Sequence, residues 1–346
     1  MRSGLQPMSE ADPAAVKRYL AERQIDPEII EWKYFDARFN RRRERGVVWA
    51  RENKVAGFLG LIPFCAEKDG VRTECAWSCD WSVDSSQAGG MGLMLVKRAR
   101  DFYDGIFNVG GNENTRRLFP RLADRTVVDA GVSLVLPLRL GSIFGILPPG
   151  VWKRALSKPQ FLQQIPLRWV RQGSRARISI EPGIPARAMS AFDEAAPGDW
   201  HPLYDSEYVE WQLGRCPAMQ CWTCSISSES PVRTAALLWR SRSSSAYWRL
   251  ALCGARSDLE KIQMVVGAIV SFVYAQRGVA LFAVASHLEN DLADLLVRQG
   301  FLRRRARLPF YAMRGRRSEL PMDEFGVLSY LDSDLAYRFE GDSDEK

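Results

Sequence analysis

One seven-residue pattern occurs twice in this chain and constrains its fold more than any other feature. "DPEIIEW", Asp26 to Trp32, returns as "DSEYVEW", Asp205 to Trp211. Both read Asp-x-Glu-apolar-apolar-Glu-Trp, and a similar succession follows each copy. After Trp32 come "GVVWARENKVAGFLGLIPF", with a turn in its middle, and "RTECAWSCDWSVD". After Trp211 come "MQCWTCSIS", "TAALLWRS" and "AYWRLALCG". Short apolar or alternating runs bounded by turn residues have the period of strands. Each half then offers an apolar helix, over 91–103 and 259–275, a short apolar strand ("GIFNVG", "VALFAVA") and a second amphipathic helix. Trp32 precedes Gly90 by 58 positions, and Trp211 precedes Gly267 by 56. This predicts a tandem duplication of one α+β unit, each a mostly antiparallel mixed sheet flanked by helices.

The units are expected over 1–139 and 174–318. Residues 140–173 match neither copy and are rich in proline, which breaks long helices, so a partly helical linker is expected there. Residues 319–346 form an extension ending in "EGDSDEK", an acidic composition typical of disordered tails.

The chain's 346 residues, 46% of them hydrophobic, suffice for two cores. Its longest apolar runs, such as "MVVGAIVSFVYA", fall short of the ~18–20 residues that a membrane span needs. The N-terminus "MRSGLQPMSEADPAA" lacks the apolar core of a signal peptide, so a cytoplasmic protein is expected. Seven cysteines, an odd number, lie mostly in apolar strand-like runs and read as buried free thiols. Cys221-Trp-Thr-Cys224 has the spacing of half a zinc site but no second pair. Residues three apart on a strand also face opposite ways, and His201 and His287 are the only histidines. No metal is expected. The net charge of +7 is concentrated in arginine runs such as "RFNRRRER" and "FLRRRARLPF". These read as solvated faces that could attract an acidic partner such as acyl-carrier protein. No nucleic-acid motif accompanies them.

The stretch "SSQAGGMGLMLVKRA", 85–99, leads from a strand into a helix. Glycines let backbone N–H groups turn inward where side chains would block a ligand. The helix N-terminus adds partial positive charge, and together they suit a pyrophosphate. The spacing is neither G-x-G-x-x-G nor G-K-[ST]. Gln87-Ala88-Gly89-Gly90-Met91-Gly92 instead fits [Q/R]-x-x-G-x-[G/A], the acyl-CoA signature of the GCN5-related N-acetyltransferases (GNAT), which the chain resembles. "NENTRRLFPRLAD" is similar to the family's next helix at Asn112, Thr115, Leu118 and Leu122. "LVRQGF" supplies the matching Gly300-Phe301 ending in the second half. As two such units, the layout resembles tandem GNAT and FemAB-like proteins.

The resemblance implies that acetyl-CoA, or another acyl-CoA, is held by main-chain groups of Trp81, Ser82 and Val83 at a splayed strand end. The 87–92 loop, Asn112 and Thr115 would complete the donor site. It implies acyl transfer to the amine of a small molecule such as an amino sugar or amino acid derivative. Attack by an amine needs a base. Glu74 and Asp80 are the candidates, on one strand face unless a bulge intervenes. Trp32, Lys33 and Tyr34, an aromatic platform beside a cation, are candidates for the acceptor pocket. The family's tyrosine that protonates the leaving thiolate aligns with Phe119, which cannot donate a proton. In the second half Gln87 and Gly92 become Met264 and Ile269, so that unit is expected to lack the donor site. Two rival readings are a FemAB-like aminoacyl transferase using charged tRNA, and a non-catalytic acyl-CoA-binding or scaffold protein.

Overall fold

The computed structural model describes residues 4–39, 43–51, 54–84, 90–111, 113–139, 178–191, 200–226, 232, 234–244, 246–253, 258–286 and 290–325. The first half contains β1 (Gly4–Pro7), α1 (Pro13–Ala21), α2 (Pro27–Ile30), β2 (Gly46–Arg51), β3 (Lys54–Lys68) and β4 (Val71–Val83). It continues with α3 (Met91–Ala99), β5 (Gly105–Val109), α4 (Glu113–Leu118) and β6 (Arg125–Pro137). The second half contains β7 (Ile178–Pro182), β8 (His201–Leu203), α5 (Ser206–Val209), β9 (Met219–Ile226), β10 (Ala235–Ser241) and β11 (Tyr247–Cys253). It closes with α6 (Leu259–Ala275), β12 (Ala280–Ser286), α7 (Asn290–Arg298) and β13 (Leu302–Arg314). The expected linker lies outside the described residues, as does the acidic tail.

The strands form one mixed sheet in the order β1-β2-β3-β4-β5-β13-β6-β12-β11-β10-β9-β7, with β8 also on β3. All pairs are antiparallel except β4–β5 and β11–β12. The last strand of each half has crossed to the other. β13 pairs with β5, setting Tyr311 opposite Asn108, and β6 pairs with β12, setting Val135 opposite Phe282. β13 and β6 then pair with each other at the centre. The exchange covers the edges of β5 and β12, which would otherwise expose unpaired backbone groups.

The repeated heptapeptide folds the same way in both halves. Asp26 caps α2 by accepting from the Glu28 N–H at 2.7 Å, and Asp205 caps α5 by accepting from the Tyr208 N–H at 2.8 Å. Such Asp caps satisfy donors that a helix start leaves open. Each short helix widens into a π-helical turn, Glu31–Phe35 or Glu210–Gly214. The two tryptophans in these turns meet. Trp32 Nε1 donates to the Trp211 carbonyl at 2.9 Å, and Trp211 Nε1 donates to the Trp32 carbonyl at 3.3 Å. Their rings stack with centroids 4.7 Å apart. The largest core unites both halves, with Phe39, Trp77 and Phe107 in the same cluster as Trp239, Phe282 and Phe310. Cys221 and Cys224 belong to different clusters on opposite faces of β9, as their spacing requires. Among the described residues, no helix is long and apolar enough to cross a membrane.

Candidate active site

β4 and β5 run parallel but pair only where Cys75–Trp77 meet Gly105–Phe107. Asn108 adds one contact, its Nδ2 donating to both the Ser78 carbonyl and Ser78 Oγ at 3.1 Å. β4 then runs on to Val83 while β5 stops at Val109, so the strands part beyond Ser78. A β-bulge marks the parting. Phe58 pairs with Ser82 and Gly60 with Cys79, leaving Asp80 and Trp81 together opposite Leu59. Asp80 takes a φ of +46°, which non-glycine residues rarely adopt. A bulge re-aims the side chains at it.

On one side of the sheet, Asp80 meets the first π-helical turn. Lys33 Nζ lies 2.5 Å from Asp80 Oδ2, and the Tyr34 hydroxyl donates to the same oxygen. Two donors on one carboxylate oxygen hold the side chain in a single orientation. Arg45 secures the turn by donating to the carbonyls of Lys33 at 2.8 Å, Asp36 at 3.1 Å and Phe39. Burial lowers the Arg45 pKa to about 10. Gly60 makes room: a Cβ there would stand 2.1 Å from the Tyr34 hydroxyl oxygen.

Trp81 packs on the other side, against the cluster under α3 and α4. Its ring is edge-on to Phe119 at 5.3 Å, and a Cβ on Gly92 would lie 2.5 Å from Trp81 Cζ2. Gly90 precedes α3 in the left-handed conformation, with a φ of +84° and open space where a Cβ would be. Among the described residues, the buried Trp81 Nε1 has no hydrogen-bond partner. The gap between strands, the unfilled cradle at Gly90 and this orphaned donor fit the phosphates and amide-bearing arm of a coenzyme A thioester.

No protein-family model matches the chain, and no curated protein does. Solved structures do. A GCN5-related N-acetyltransferase from Anabaena variabilis ATCC 29413 superposes with a TM-score of 0.53 at 14% identity, over 88% of this chain and 72% of its own. A tandem GNAT protein from the clavulanic acid biosynthesis pathway gives 0.52 at 12% identity, over 91% and 99%. Saccharomyces cerevisiae N-myristoyltransferase, solved with myristoyl-CoA, gives 0.51 at 10% identity, over 94% and 85%. The chain has a tandem GNAT fold.

In this tandem GNAT fold the sequence-derived candidates do not all converge. Asp80, Lys33 and Tyr34 come together at the bulge. Glu74 lies six residues back along β4, about 20 Å for an extended strand. It is exposed and ion-paired with Arg43. Trp32 is 5% exposed, with its ring and N–H both engaged by Trp211. The Ser82 carbonyl accepts from the Tyr19 hydroxyl at 3.2 Å, and Val83 packs beside Trp81 under α3. Met91 opens α3, and Thr115 is buried on α4. Gln87, Ala88, Gly89 and Asn112 lie outside the described residues.

The second GNAT unit differs from the first at the matching helix. Spacing aligns Gly267 with Gly90, but α6 already starts behind the cap Asp258, so Gly267 lies inside the helix. α6 begins about two turns before Gly267, whereas α3 begins directly after Gly90. Met264 and Ile269 therefore lie within α6.

Three contributors escaped the sequence reading: Gly60, Arg45 and Asn108. Gly60 had a legible signal, since an isolated glycine inside a strand run often marks a close approach. Arg45 and Asn108 had none, because their partners are defined only by the folded backbone.

Proposed function

We propose that the chain is an acyl-CoA-dependent N-acyltransferase, moving an acetyl group from acetyl-CoA to the amine of a small molecule such as an amino sugar or amino acid derivative. One observation carries this reading: β4 parts from β5 at the Asp80 bulge, with a partly buried carboxylate on one side and the Gly90 turn on the other. The donor would be held by the N–H groups of Gly90, Met91 and Gly92, by Trp81 Nε1 and by the main chain of β4 up to Val83. The loop residues Gln87 to Gly89 and Asn112 and Thr115 belong to the same donor site. The residues that would bind the donor belong to the unit over 1–139, and the unit over 174–318 completes its sheet.

The chemistry is direct transfer. The amine nitrogen attacks the thioester carbonyl, a C–N bond forms, and the C–S bond breaks with its electron pair on sulfur. Asp80 takes the amine's proton while Lys33 and Tyr34 keep it in place. A main-chain N–H at the parted strand end faces the developing oxyanion. Lys33 and Tyr34, a cation beside an aromatic ring at the bulge, support a sugar or a carboxylate-bearing amine as the acceptor. The free cysteines support a cytoplasmic setting.

Titration calorimetry with acetyl-CoA, and with myristoyl-CoA because of the yeast neighbour, tests donor binding and acyl length. Parent protein should bind and a Gly90→Trp variant should not. Release of free thiol across a panel of amines then identifies the acceptor. Failure of the parent to bind any acyl-CoA would end the reading. Binding without thiol release on any amine would favour a non-catalytic acyl-CoA-binding protein, the alternative that Phe119 supports.

A further inference from the structure

The following rests on the acyltransferase reading. An alkyl thiol has a pKa of roughly 8.5, so a departing thiolate is a better leaving group when a proton meets it. Phe119, fully buried, offers none. The second half of the chain does. β13, the exchanged strand, sets Tyr311 directly opposite Asn108, the residue whose amide spans the point where β4 and β5 part. The Tyr311 and Phe119 rings lie 5.5 Å apart, in the cluster that also receives Trp81. Tyr311 is only 2% exposed as a residue, but its hydroxyl, which makes no hydrogen bond to a described residue, is not among the fully buried polar atoms. Burial pushes the Tyr311 pKa up, with Arg116 drawing it the other way. The phenol therefore keeps its proton at neutral pH, and a nearby cation eases its release.

We propose that Tyr311, carried into the first unit by the exchanged strand, is the proton donor to the departing thiolate. As the C–S bond breaks, its electron pair goes to sulfur and the Tyr311 O–H proton follows. The phenolate is then reprotonated from solvent, which also receives the amine's proton from Asp80. Base and acid thus approach the thioester from opposite faces of the sheet, one from each half of the chain.

Tyr311→Phe removes one oxygen and keeps every ring contact, so its melting temperature and acetyl-CoA affinity should match the parent's. Its kcat with acetyl-CoA should fall by roughly 100-fold or more, the usual range for a lost general acid. With an aryl thioester, whose thiolate leaves unaided, kcat/KM should change less than about threefold, since no proton is then needed. Phe119→Tyr in the Tyr311→Phe background should restore part of the loss with acetyl-CoA. A Tyr311→Phe enzyme as fast as the parent, or equally impaired on both thioesters, would overturn the assignment and leave the acyltransferase reading intact. A parent that binds acetyl-CoA but acylates no amine would overturn both.

Discussion

Lys33 Nζ and Asp80 Oδ2 stand 2.5 Å apart, with the lysine side chain 1% and the aspartate side chain 14% exposed. They are 47 residues apart in sequence and meet where the π-helical turn overlies the bulge. A buried ion pair adds little net stability, but removing one member strands the other charge and costs about 3–5 kcal/mol. Lys33→Met and Asp80→Asn should each destabilise by about 3 kcal/mol or somewhat less. The double variant should lose clearly less than their sum. Urea unfolding of all four proteins reads the coupling. Additive losses would mean that the pair does not act as a unit.

Gly92 and Gly90 should respond differently to alanine. At Gly92 the new Cβ would press on the Trp81 ring at 2.5 Å, and overpacking of this kind costs about 1–3 kcal/mol. At Gly90 there is space, and only the left-handed backbone is penalised, by roughly 1–2 kcal/mol. Trp81→Leu should relieve most of the Gly92→Ala loss and none of the Gly90→Ala loss. Thermal unfolding of the two pairs of variants separates the causes.

The reciprocal tryptophans predict a symmetric, non-additive effect. Trp32→Phe and Trp211→Phe each remove one indole N–H and with it one buried hydrogen bond to the other turn, which costs roughly 0.5–1.5 kcal/mol. Either change should loosen both halves together, because the donor in each turn serves the carbonyl of the other. Hydrogen exchange at the 31–35 and 210–214 turns checks this. Loosening confined to the mutated half would contradict it.

Alkaline stability should be set in part by buried thiols. Burial pushes Cys216 and Cys224 up to about 12 and Cys221 up to about 11. The unfolded chain releases these protons near pH 8.5, about three units earlier, so the folded state binds more protons above that pH. Stability therefore falls as pH rises, by up to about 1.4 kcal/mol per thiol per pH unit, until the folded value is passed. Urea unfolding from pH 8 to 10.5 should show this fall, and Cys216→Ala or Cys224→Ala should make it shallower. An unchanged slope in both variants would rule the thiols out as its cause.

Much of the fold is legible in short stretches. The heptapeptide contains its own Asp cap, so both capped turns follow from residues within one helical turn of each other. The apolar run over 259–275 is the span of α6 itself. The glycines before Met91 announce a strand-to-helix turn, and Gly90 is left-handed there. The alternation around Glu74 and Asp80 anticipated one shared face or a bulge, and the bulge is what formed. The expected helix over 259–275 already contained Gly267, and Gly267 lies inside α6.

What the sequence determined alone is local: the duplication, the caps, the strand and helix periods and the glycine turn. These depend on interactions between residues a few positions apart. Which half receives β6 and which receives β13 was decided only by the tertiary structure. Either pairing would satisfy the same alternation of apolar and polar residues, since backbone hydrogen bonds do not read sequence. The choice rests on side-chain packing summed across both halves, around the paired tryptophans and the shared aromatic core. That choice brings Tyr311 next to Phe119.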